Sequence, residues 1–283
     1  MSSAALPAIP CYRVDKLVVT SSFSQVFHAV HAALGVPVAL KVFGIEPGIA
    51  AELPYPEAEW RRRFLAEARL LARLDHPHII RVNDMGFLAD GRPWVAMPWC
   101  MANLRVEIGR DADPDDAGRL PEGERPRALA PARARQVLAQ LCAALAAIHF
   151  EGVVHRDVKP TNLLLTQRQG GDVKLCDFGF VKVPGGSHSQ GGTWIGTPDY
   201  IAPEQRRDAS RVSDRADVYS VGVLAYRLLT GRLPAGAFRL PSELVPGLDP
   251  WWDGFVRDTM APSPADRPSA AALAGRLAGA PGR

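Results

Sequence analysis

Long apolar runs are what this sequence most lacks. The longest, Val137 to Phe150, falls short of the ~20 residues that a membrane-spanning helix needs and reads as a buried helix. Met1 to Pro10 has neither a basic start nor an extended apolar core, so no secretory leader is evident. Cysteines are few. Cys11, Cys100, Cys142 and Cys176 share no metal-ligand spacing and do not reach the density of a disulfide scaffold, so reduced thiols in a cytoplasm are expected. An excess of either charge is missing too: 33 Lys plus Arg stand against 30 Asp plus Glu, a formal +3. Such a balance makes no case for nucleic acid or an anionic membrane as partner. No internal repeat, second catalytic domain or tethering segment is visible. What the 283 residues allow is one large domain or two lobes, burying about three quarters of the unfolded surface.

Against these absences stands one dense patch of polar chemistry, His155-Arg156-Asp157-Val158-Lys159-Pro160-Thr161-Asn162. Pro160 rules out a regular helix across its middle, and a loop of this kind can aim Asp157, Lys159 and Asn162 into one cleft. A carboxylate, cations and an amide so gathered suit a reaction that moves a highly charged group. Further on comes Asp177-Phe178-Gly179. A hairpin through Leu163-Leu164-Leu165 and Val173-Lys174-Leu175 would bring Asn162 and Asp177 together as hard oxygen ligands suited to Mg²⁺. Ala202-Pro203-Glu204 follows.

The remainder of the chain frames these groups. Residues 12 to 43 alternate as short antiparallel strands, and Lys41 sits in the run Val36 to Phe43. From Glu57 to Leu74 the spacing of Phe64, Leu65, Ala68, Leu71 and Leu74 predicts an amphipathic helix. Glu67 lies in it; by itself it reads as a surface acid among Arg61, Arg62, Arg63, Arg69 and Arg73. Pro77 forces a corner from which a new strand should start, and His76 and His78 beside it invite a metal-ligand reading next to a structural one. Ala89 to Arg92 predicts a hairpin turn, and Trp94 to Cys100 a strand. Residues 106 to 131 are polar and predict an expanded, mobile surface loop around a short helix. A strong helix over Ala132 to Phe150 should stop at Gly152, and another, buried, should open at Asp214 to Gly222.

Taken together these motifs resemble the eukaryotic-type serine/threonine protein kinases, over almost the whole chain. The abundance of Ala, Arg, Pro and Gly suggests a bacterial member. The resemblance implies an α+β, bilobal fold over residues 12–275 with tails at 1–11 and 276–283. The N-lobe would cover about 12–97 with a small antiparallel sheet and one helix, the hinge 98–103, and a larger, mostly helical C-lobe about 104–275. It also implies ATP and Mg²⁺ as cofactors and Ser/Thr hydroxyls of proteins as acceptors, with autophosphorylation. Asp157 would orient the hydroxyl and take its proton, and Lys159 would sit on the γ-phosphate. Asn162 and Asp177 would hold the metal, and Lys41, paired with Glu67, the α- and β-phosphates. Met97 would stand behind the adenine, Pro98 and Cys100 along its edge, and Ala39, Val26 and Leu164 around it. Asp217 would brace the catalytic loop, and Arg267 would pair with Glu204. Thr161 replaces an acid that reads basic residues in some members, so no basophilic preference is expected.

Residues 177 to 204 would form the activation segment. Phosphorylation of Thr193, or in second place Ser187 or Ser189, would raise activity through Arg156. Thr197, in Gly196-Thr197-Pro198, would contact Asp157 and Lys159 in the substrate-facing loop. One departure is large. Where the family has three phosphate-loop glycines, this chain has Val19, Ser21 and Ser24, before Val26. If those positions need φ > 0, each side chain costs roughly 1–2 kcal/mol, although serine hydroxyls could donate to phosphate. The glycine-free turn therefore leaves a second reading, a pseudokinase or scaffold module with weakened nucleotide binding. A third, a small-molecule phosphotransferase, is opposed by Thr197 and by Pro203-Glu204.

Overall fold

Alternation of Val, Phe and Leu with polar residues builds three consecutive antiparallel strands, β1 (Tyr12–Thr20), β2 (Ser24–His31) and β3 (Pro37–Phe43). Helix α1 (Glu57–Leu71) follows, and β4 (Asp84–Phe87) and β5 (Pro93–Pro98) complete a five-stranded sheet in the order β1-β2-β3-β5-β4. The structure, a computed structural model, describes residues 6–45, 55–112, 114–179, 198–208 and 212–279. Its described residues divide into two compact units, one running to Asp75 and including Ile79–Cys100, the other made of His76–His78 and the chain from Met101.

In the first unit the period-two geometry of strands sorts the side chains onto two faces. Phe27, Ala29, Val38, Leu40, Val42, Trp94 and Ala96 form a buried cluster on one. The other carries Val19, Val26, Lys41, Ala39 and Met97, because Val19 pairs with Val26, Val26 with Lys41, and Ala39 with Met97. Helix α1 meets this second face through buried Trp60, Phe64 and Glu67, its inward stripe. The helix is shorter than its apolar pattern predicts: Arg73 and Leu74 bond three residues back, a tightened last turn. The strand expected directly after Pro77 begins only at Asp84. His78 is a corner residue, its N–H on His76 Nδ1 and its own Nδ1 3.1 Å from the Val173 carbonyl oxygen.

The second unit opens with β6 (Ala102–Asn103), α2 (Arg105–Ile108), α3 (Pro114–Ala117) and α4 (Pro131–Phe150). Strands β7 (Leu163–Leu165) and β8 (Val173–Leu175) pair with β6 in a small sheet, order β6-β7-β8. Helices α5 (Pro203–Arg207), α6 (Arg215–Thr230), α7 (Pro241–Leu244), α8 (Trp251–Thr259) and α9 (Ala270–Ala278) complete it. Helix α6 is buried almost all round, which makes it the unit's centre. Gly222 lets α8 approach: a Cβ there would stand 2.4 Å from Thr259 Oγ1.

Several described residues of 106–131 are anchored to the rest of the unit by hydrogen bonds. Glu107 takes Arg133 in a bidentate pair at 2.9 and 2.8 Å and also accepts the Gly170 N–H at 2.9 Å. Arg127 donates to the Glu107 carbonyl at 2.8 Å and to that of Val106. Gly109, at φ 76°, passes so close to the chain that a Cβ would lie 2.0 Å from the Arg125 carbonyl oxygen. Buried Arg227 from α6 reaches Asp111 at 2.7 Å and the Ile108 carbonyl at 2.9 Å, and the Tyr200 hydroxyl donates to Asp111 at 3.1 Å. Glu107, Asp111 and Arg127 thus bind other side chains and the backbone, while most of residues 116–125 stay exposed at the surface, as expected.

Candidate active site

Lys41 projects from β3 beside Glu67 of α1, and each is almost fully buried. The ammonium donates to both carboxylate oxygens, at 3.0 and 2.9 Å. A buried ion pair costs desolvation and persists only with such close geometry. Glu67 is thus not the exposed acid that its arginine-rich neighbourhood suggests. On the same sheet face lie Val19, Val26, Ala39 and Met97, with Pro98 and Cys100 half-buried at and beyond the end of β5.

The turn between β1 and β2 removes the strain expected of it. Among the described residues the positive-φ positions other than glycine are Cys11, Arg156 and Asp177, so Val19, Ser21 and Ser24 bear no such penalty. The serine hydroxyls turn to each other. Ser21 Oγ stands 2.8 Å from Ser24 Oγ, donates to the Ser24 carbonyl at 3.1 Å and accepts the Ser24 N–H at 3.1 Å. The Ser21 N–H closes the turn on the Ser24 carbonyl at 2.8 Å. Side-chain hydrogen bonds here fix a backbone shape that needs no glycine.

The second unit holds the polar cluster. Pro160–Asn162 makes a single 3₁₀ turn, folding Asn162 back onto Asp157. Asn162 Nδ2 donates at 2.8 Å to both the carbonyl and Oδ2 of Asp157, and Lys159 Nζ lies 2.8 Å from the same Oδ2. Burial pushes the Asp157 carboxyl up; Lys159 pulls it back in part, while the charge of Asp177 adds to the rise. Leu164 occupies the middle of β7, between buried Leu163 and Leu165 and opposite Asn103 and Lys174.

Two residues of this cluster, Arg156 at φ 69° and Asp177 at φ 63°, stand in the left-handed region. Such strain costs of order 1–3 kcal/mol each and persists only where neighbours over-determine it. Here buried Asp217 supplies much of that determination, accepting the backbone N–H groups of His155 at 2.8 Å and Arg156 at 2.7 Å. Gln205 adds a bond to the Arg156 carbonyl at 3.2 Å. His155 in turn stands 3.1 Å from the Cys176 carbonyl oxygen and packs edge-on against Phe178, fixing the residues on either side of Asp177. Sequence reasoning missed His149, whose Nε2 lies 2.8 Å from Asp217, and Gln205, for nothing local marks a partner 68 or 49 residues away.

Burial alone pushes the Asp217 carboxyl up, yet the hydrogen bond and pull of His149, the pull of His155 and the Arg156 N–H hold it below the ordinary range. A depressed carboxyl stabilises the fold above its unfolded value, about pH 4, and loses that contribution as pH falls through the folded value. Asp217→Asn should therefore melt below wild type near neutrality, by about 2–3 kcal/mol. In acid melts the gap should narrow below about pH 4. A gap constant down to pH 3 would contradict it.

The residues fit Mg²⁺. The Asn162 amide nitrogen is committed to Asp157, so its carbonyl oxygen is the atom offered to a cation, alongside the Asp177 carboxylate. No group of three or more His, Cys, Asp or Glu able to hold a metal occurs among the described residues. Mg²⁺ needs none: it takes one or two carboxylates and completes its shell with water and substrate phosphates. Ser187, Ser189, Thr193 and Thr197 lie outside the described residues.

A sheet unit with a buried Lys–Glu pair, and a helical unit with an Asp–Lys–Asn loop braced from below, define the protein kinase class. The family model for the protein kinase domain matches residues 12–244, and the chain belongs to that family. Among its relatives, the serine/threonine-protein kinase PknL of Mycobacterium tuberculosis is 35% identical over 272 residues, covering 90% of this chain and 62% of its own. The serine/threonine-protein kinase PknJ of the same organism is 33% identical over 275 residues, 90% of this chain and 43% of its own. The chain thus spans 62% or less of the length of these curated relatives. A crystal structure of the Mycobacterium tuberculosis PknI kinase domain, a double mutant, is 30% identical with a TM-score of 0.65 and covers 98% of each chain.

Proposed function

We propose that this chain transfers the γ-phosphate of ATP to Ser and Thr hydroxyls of proteins, itself included, in an Mg²⁺-dependent reaction. The observation that carries the reading is Asp157 Oδ2, buried and holding both the Lys159 ammonium and the Asn162 amide. Asp157 orients the acceptor hydroxyl and takes its proton, as the oxygen–phosphorus bond forms and the bond to the β-phosphate oxygen breaks. Lys159 exchanges its bond to Asp157 for the γ-phosphate. Lys41, held by Glu67, pairs with the α- and β-phosphates, and Asn162 and Asp177 would hold Mg²⁺, which would supply positive charge against that developing on the phosphates. Val19, Val26, Ala39, Met97 and Leu164 give the adenine apolar contact, with the backbones of Pro98 and Cys100 at its edge and Ser21 and Ser24 shaping the turn over the phosphates. We place the activity in the cytoplasm, where ATP and reduced thiols are found; separately, no helix among the described residues is long and apolar enough to cross a membrane. Phosphoamino-acid analysis after reaction with ATP and Mg²⁺ tests the acceptor class: phosphoserine and phosphothreonine support it, phosphotyrosine contradicts it.

Activity is raised by phosphate on Thr193, paired by Arg156, with Thr197 contacting Asp157 and Lys159. Thr193→Ala should lose the main autophosphorylation site in peptide mass spectrometry and slow transfer severalfold. Unchanged phosphorylation and rate would remove that assignment.

A further inference from the structure

Trp60, Phe64 and Glu67 form one line along α1, and each touches a different part of the sheet unit. The Phe23 ring, at the tip of the serine turn, stacks on Trp60 with centroids 4.6 Å apart and planes 11° from parallel. Phe43 meets Phe64 edge-on at 5.8 Å, and Lys41 bonds Glu67. Trp60 is buried and further enclosed by the Tyr55 ring at 5.6 Å and the Arg63 guanidinium at 5.6 Å. Arg63 is fixed in its turn by Glu59 at 2.9 Å. The main chain holds the same tip, the Gly44 N–H donating to the Phe23 carbonyl at 3.1 Å.

We propose that Phe23 and Trp60 form a clasp that joins the glycine-free turn to the Lys41–Glu67 pair, so that both are positioning residues for the phosphates of ATP. The inference rests on the kinase reading above. A flexible glycine loop must be ordered when a ligand binds, and that ordering is a cost to affinity. A turn closed by serine hydroxyls and stacked on a buried indole is ordered beforehand. Because α1 is a rigid element, Trp60 and Glu67 move together, about 10 Å apart along the axis. Setting the turn therefore also sets the carboxylate that aims Lys41. An indole–phenyl stack beyond simple burial is a strong enough contact to hold this arrangement.

The test is equilibrium binding of ATP with Mg²⁺ together with steady-state kinetics. Phe23 is only half-buried, and Phe23→Ala should melt close to wild type. It should weaken ATP binding and raise KM for ATP about tenfold while kcat changes less than about threefold, the signature of lost ground-state positioning. Phe23→Tyr, which keeps the ring, should restore both. In a Glu67→Gln background Phe23→Ala should weaken binding less than about threefold, since coupled sites are non-additive. Wild-type binding by Phe23→Ala overturns the clasp and leaves the kinase reading standing, as does an equal loss in both backgrounds. ATP binding that keeps this pattern without any phosphoryl transfer overturns the kinase reading and supports the clasp. A wild-type chain that binds no ATP overturns both.

Discussion

Asp157→Asn is expected to cut phosphoryl transfer by about 10²- to 10⁴-fold, the usual worth of a positioned general base. The fold should survive. Asparagine can still accept the Asn162 amide that Asp157 Oδ2 accepts at 2.8 Å. More tellingly, burial raises the Asp157 carboxyl despite the nearby Lys159, so the ionised form is penalised in the folded state at neutral pH. The sign follows: a raised carboxyl favours the fold below its unfolded value and disfavours it as pH rises through the folded one. Removing the charge should therefore leave the melting temperature at pH 7 level or higher while activity collapses. A variant that loses stability and activity in parallel would make Asp157 a structural residue.

Arg267→Met should produce the opposite pattern, a large loss of stability. The Arg267 side chain is fully buried and donates to both oxygens of Glu204, at 2.6 and 3.0 Å, and to the carbonyls of Ala261 at 2.7 Å and Arg215 at 3.0 Å. Its guanidinium also lies over the Tyr219 ring at 5.0 Å. Methionine keeps much of the volume but abandons a carboxylate and several acceptors away from water. Breaking one side of such a pair costs about 3–5 kcal/mol, on the order of 10 °C in melting temperature for a chain of this size. The double variant Glu204→Gln, Arg267→Met should recover part of the loss, because the stranded charge is gone. Calorimetry of the four proteins gives the answer; simple additivity would place the cost elsewhere.

Much of this was legible in the sequence because it is local. Strand alternation from Tyr12, the stripe on α1, and the compressed spacing of Asp157, Lys159 and Asn162 each occupy one short window. Asp217 and the Glu204–Arg267 partners are not local; their resemblance to family motifs supplied the pairing that a separation of 63 residues conceals. What escaped was of two kinds. Within residues 106–131 the distant anchors went unread, because Asp111 finds Arg227 across 116 positions and Glu107 finds Arg133 across 26. The serine turn looked strained because glycine was assumed to be needed for its φ angles. A hydroxyl pair and an aromatic stack solve the same problem at ordinary φ, and no periodicity announces either.

The most direct measurement is intact-mass spectrometry of the purified chain after incubation with ATP and Mg²⁺, beside Asp157→Asn. The wild-type chain should gain the mass of one or more phosphoryl groups on Ser or Thr, the variant none, and omission of Mg²⁺ should abolish the gain. A folded wild-type chain that stays unmodified and transfers nothing to added protein substrates would contradict the account. So would an Asp157→Asn chain labelled as fully as the wild type.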